Sequence, residues 1–141
     1  FHLSPLLLMS PEFYKILHLI GVITLFAGIG GFLTYGSEKA PRAKMVGMLH
    51  GIGLVLILIS GFGMQAKYGY GFPVWIILKV LLWVGLGALL AFAKKGTLSP
   101  RNAVIIGLAL GFIAAYAGLF GKFGWSIPSY ETAPAAEVQE G

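Results

Sequence analysis

Apolar positions in this chain run on in long stretches, with none of the alternation that marks a half-buried strand. Four such stretches extend from Pro11 to Tyr35, Ala43 to Met64, Pro73 to Ala93 and Pro100 to Phe120. Each has about the ~20 residues that an α-helix needs to cross ~30 Å of hydrocarbon. Ser10-Pro11 opens the first in the manner of an N-cap followed by proline at the first helical position. That run outlasts the apolar core of a signal peptide, so it is expected to stay as a span. Between the stretches lie the polar segment Gly36 to Arg42, the glycine and tyrosine segment Lys67 to Phe72, and the turn Lys94 to Ser99. Connections this short make consecutive helices antiparallel neighbours. The expected architecture is an all-α integral membrane four-helix bundle with up-down connectivity. Residues 1–10 read as an N-terminal extension, 11–125 as the four-helix domain and 126–141 as a flexible acidic tail able to contact a partner.

Composition agrees: 57% of the 141 residues are hydrophobic and 11% charged, far from the balance of a soluble domain. The formal charge of +5 changes meaning in this setting, because the basic residues lie between apolar runs and form no patch suited to nucleic acid. Lys39, Arg42, Lys44, Lys94, Lys95 and Arg101 fall on one side of the bundle, and Lys15, Lys67 and Lys122 on the other. The positive-inside rule makes the first side cytoplasmic. This predicts an N-out, C-out topology in a bacterial inner membrane, with periplasmic termini and Tyr68, Tyr70, Phe72, Trp125 and Tyr130 as the outer aromatic belt. The absence of cysteine excludes disulfides, thiolate metal sites, iron–sulfur ligation and c-type haem attachment.

Glycines recur at helix-packing spacing: Gly47 and Gly51, Gly107 and Gly111, and Gly28, Gly30 and Gly31. They read first as close-packing faces, and alternatively as oligomer contacts or room for a flat cofactor. Ionisable residues inside the spans are His18, His50 and Lys79. Such groups are costly in lipid and mark candidate sites. At 1.5 Å per residue, His18 and Lys79 come to lie roughly 10 Å below the outer surface, and Tyr116 near the same level. His50 lies about 20 Å from that surface, so a His18/His50 pair on one haem iron is strained. Trp75, Lys79 and Trp83 share one stripe of helix 3, where indole faces could flank an ammonium or a planar ring. The bland alternatives are a snorkelling Lys79 and an interhelical hydrogen bond for His18. No Asp or Glu lies deep in a span, which argues against carboxylate-coupled transport. The four methionines are scattered and give no copper site.

The strings Tyr14-Lys15-Ile16-Leu17-His18, Ser60-Gly61-Phe62-Gly63 and Trp75-Ile76-Ile77-Leu78-Lys79 resemble the helix 1 start, helix 2 end and helix 3 start of the small HemJ, CopD and SirB-like membrane proteins. The likeness covers about Tyr14 to Ala93, and helix 3 departs from the tighter tryptophan-leucine-histidine-x-lysine start of the HemJ group. The resemblance implies a haem-associated or porphyrin-handling protein, with His18 at the position of the family's helix 1 histidine and Lys79 at that of its helix 3 lysine.

Two functional readings follow. In the first, the outer half holds a b-type haem or related planar redox cofactor. His18 is then the axial ligand, with Lys79 ligating the iron or pairing a propionate and Trp75, Trp83 and Tyr116 lining the pocket; electron transfer or porphyrin oxidation would be the reaction. His50 is the less favoured metal ligand. In the second, the chain is a non-catalytic accessory subunit that packs its helix faces against a larger membrane complex or another copy of itself. A small-solute channel, with His18 and Lys79 attracting an anion, is a third possibility.

Overall fold

A computed structural model of the chain describes residues 10–35, 41–69 and 71–124. The expected N-terminal extension, apart from Ser10, the segment 36–40 and the acidic tail lie outside the described residues, as do Tyr70, Trp125 and Tyr130 of the expected aromatic belt. Every described element is helical: α1 (Pro11–Tyr35), α2 (Pro41–Tyr68), α3 (Val74–Lys94) and α4 (Pro100–Gly124). All four are long and apolar enough to cross a membrane. The fold is that of a multi-pass integral membrane protein.

The helix limits follow from local chemistry. Ser10 Oγ accepts a hydrogen bond from the Phe13 amide at 3.3 Å, and Ser99 Oγ accepts one from Asn102 at 3.2 Å. A serine N-cap followed by proline therefore opens both α1 and α4. α3 ends in a Schellman arrangement, with Gly96 at φ 78° and bonds from the Gly96 amide to Ala93 and from the Thr97 amide to Phe92. α2 runs four residues beyond the Met64 end expected from its apolar stretch. Gln65, Ala66 and Lys67 are good helix formers, and the helix stops only at Gly69, whose φ of 64° suits glycine. α4 likewise passes Phe120.

α1 and α2 make the closest pair. Gly21 lies against Ile57, Leu25 against Gly53, Gly28 against His50 and Gly31 against Val46, so numbers rise along one helix as they fall along the other. A Cβ on Gly53 would stand 2.5 Å from the Leu25 amide nitrogen, and one on Gly28 2.7 Å from that of His50. These glycines bring backbone to backbone. α4 returns to α1 where the Phe26 ring meets Gly111 and Ile29 meets Gly107. α2 and α3 share the thinnest of the four adjacent interfaces.

The apolar core is concentrated in one half of the bundle. Leu25, Ile29, Phe32, Val46, Leu86, Leu89, Leu90, Ala93 and Ala103 form one buried cluster there. Many large apolar side chains face outward, as Ile52, Val55, Ile59 and Phe62 do along α2 and Leu108, Phe112 and Leu119 along α4. In water that surface would be a severe liability, whereas in lipid it is the solvated face.

Candidate functional site

The other half of the bundle carries His18, Ser60 and Lys79. His18, on α1, faces α2, where its Nδ1 lies 3.0 Å from the Ser60 hydroxyl. Ser60 is fully buried, and its hydroxyl donates back to the Leu56 carbonyl at 2.5 Å, with Ile57 O at 3.2 Å on the same side. A hydroxyl has one proton to give, so Ser60 must accept from His18. With the Ser60 proton on Leu56, the imidazole donates from Nδ1. Its Nε2 then carries the lone pair of the ring. A hydrogen bond at one ring nitrogen that orients the other is the usual support of a metal-ligating histidine.

Lys79 enters from α3. Its Nζ lies 6.0 Å from the centroid of the buried Trp75 ring and within electrostatic range of His18. It also rests on α4, 2.6 Å from where a Cβ on Gly118 would stand. His18, Ser60, Lys79 and Gly118 thus mark one layer contributed by all four helices.

The remaining candidate residues are placed differently. Trp83 donates from Nε1 to the Leu54 carbonyl at 2.9 Å, which ties α3 to α2. The ring of Tyr116 is 50% exposed and packs on Phe120 at 4.7 Å between centroids, on the outer surface of α4. His50 is 3% exposed against Gly28, and its Nε2 donates to the Leu86 carbonyl at 3.0 Å. Gly28, the α1 contact of His50, is ten residues from His18, or roughly 15 Å along the helix axis. The two histidines are therefore not brought together. Among the described residues no three His, Cys, Asp or Glu side chains gather. The donor set is one imidazole nitrogen with an ammonium nearby. It suits the axial position of an iron already held by a macrocycle better than a bare ion, which needs several protein donors.

Ser60 and Gly118 belong to this layer although the ionisable residues alone do not reveal them. The signal for Ser60 is a hydroxyl in an apolar helix near the level of His18. Gly118 gives no such signal, because a glycine in a glycine-rich helix says nothing about which lysine lies on it. Searched against protein-family models, curated proteins and solved structures, the chain matches none. What this layer can do has to be read from its own chemistry.

Proposed function

We propose that the protein binds a b-type haem, or a related planar redox cofactor with an acidic substituent, in the half of the bundle that holds His18 and Lys79. One observation carries the reading: the Ser60 relay commits His18 Nδ1 and leaves Nε2 as an oriented lone pair. His18 would hold the iron and Ser60 would fix the plane of the imidazole. Lys79, set against Trp75 and Gly118, would hold a carboxylate of the macrocycle. Bound haem supplies one-electron redox chemistry, with another membrane component as electron partner. The resemblance to the HemJ, CopD and SirB-like proteins points the same way.

The same reading includes up-down connectivity and an N-out, C-out orientation. It is supported by the rise-and-fall pairing of residues across the helix interfaces and by Lys44, Lys94, Lys95 and Arg101 gathering at the core-rich end. A bacterial inner membrane with periplasmic termini fits that charge pattern.

A second reading, as a non-catalytic accessory subunit, is favoured by a different observation. His18 and His50 each bond to another helix, as polar residues that only join helices do. The visible absorption spectrum of the detergent-purified protein, oxidised and then dithionite-reduced, separates the two. The expected result is a Soret band with sharpened reduced α and β bands in the wild type, lost in His18→Ala. A colourless wild type, purified after expression with ample haem, would reject the cofactor and leave the accessory subunit.

A further inference from the structure

At the core-rich end of the bundle, the α2–α3 edge has a second polar feature, independent of the cofactor layer. A Cβ on Gly51 would meet nothing within 4 Å, and one on Gly47 would meet only the Lys94 side chain, whose Nζ lies 2.6 Å from that position. α2 therefore presents a flat strip beside α3, and Lys94 reaches across its rim. Lys94 is nonetheless exposed, as are Lys44 one turn nearer the end of α2, Lys95 in the α3–α4 turn and Arg101 at the start of α4. Glu12, the acidic residue among the described ones, opens α1 at the opposite end. The cations of this rim thus face no carboxylate among the described residues. Beyond them, in the direction of the bilayer core, Met48, Ile52 and Phe92 are exposed.

Cations at a membrane rim, a shallow strip between two helices and apolar side chains beneath it match an amphiphile with an anionic head and hydrocarbon tails. We propose that the α2–α3 edge at this end binds an anionic phospholipid. Its phosphate lies between Lys44 and Lys94, and an acyl chain runs down the strip past Met48 and Ile52. The glycines are part of the site because a side chain at position 47 would occupy the place of the Lys94 head. Inorganic phosphate would meet the same cations without the apolar contact.

The test is lipid binding to the intact purified protein in detergent, by native mass spectrometry and thermal shift. The probes are phosphatidylglycerol, phosphatidylcholine with the same chains, and inorganic phosphate. The expected result is a preference for phosphatidylglycerol over phosphatidylcholine, with no stabilisation by phosphate. Each of Lys44→Gln and Lys94→Gln should lower that preference roughly fivefold, given the usual contribution of one basic residue near an anionic surface. Lys15→Gln, at the opposite end, should leave it unchanged. Equal binding of the two lipids, equal stabilisation by phosphate, or an undiminished preference in the Lys44→Gln/Lys94→Gln double variant would overturn the proposal.

Discussion

The two intramembrane histidines differ in what their second nitrogen can do. His50 gives its Nε2 proton to Leu86 and leaves Nδ1 buried without a partner. An unmade bond of that kind costs about 1–3 kcal/mol, so the residue serves as a strut whose other nitrogen is shut away from any ligand. His18 has the opposite arrangement, with Nδ1 held by Ser60 and the lone pair left on Nε2. Ser60→Ala separates support from ligation. As an interhelical hydrogen bond in lipid, the contact should be worth only about 0.6–1 kcal/mol of stability. As support for a metal ligand, its loss should weaken haem binding by about tenfold or more. Haem titration beside an unfolding measurement checks both, and a variant that binds haem as tightly as the wild type would remove Ser60 from the site. Residue counts along the helices set His18 and Lys79 at one level, and Lys79 lies within electrostatic range of His18. The tautomer was not legible in the sequence, because it depends on a hydroxyl from another helix whose own donor direction is set by Leu56.

Helix existence was legible because runs of about twenty apolar residues have few alternative structures, and Ser10-Pro11 announced a real cap. The end of α2 was misplaced because hydropathy falls at Gln65 while helix propensity does not. Glycine spacing was a weaker guide. It picked out Gly28, Gly107 and Gly111, which do meet neighbouring helices, but it also marked Gly30 and Gly51, which face open space, and passed over Gly21 and Gly53. Spacing gives a face without saying which helix lies opposite. The contrast makes a paired prediction. Gly53→Ala forces a methyl against the Leu25 backbone and should destabilise the protein by about 1–3 kcal/mol, the usual range for overpacking. Gly51→Ala meets nothing and should be neutral, or gain up to about 1 kcal/mol from helix propensity. Unfolding in mixed micelles of increasing denaturing-detergent content compares them. Equal effects would show that the α1–α2 contact is looser than described.

Across the whole molecule, the main apolar core lies in one half and the layer of His18, Ser60 and Lys79 in the other, with His50 set into the core. The cluster around Leu25, Ile29, Phe32 and Leu90 forms the main apolar core at one end, whereas near His18, Ser60 and Lys79 the buried apolar packing is sparser and includes Trp75. Charge counting along the sequence proposes an orientation, and the absence of cysteine makes that orientation easy to test. Single cysteines at Lys67 or Gly71 should react with a membrane-impermeant maleimide on intact cells. One at Thr97 should react only after permeabilisation, and the reverse pattern would invert the topology. The four helix edges are also mechanically unequal. α1 and α2 touch through their backbones, so separating them disrupts contact along most of their length. α2 and α3 are spanned chiefly by two side chains, Trp83 reaching Leu54 and His50 reaching Leu86, each ending in a single hydrogen bond. Under lateral strain that seam has the least contact to lose, so it is the edge expected to part first.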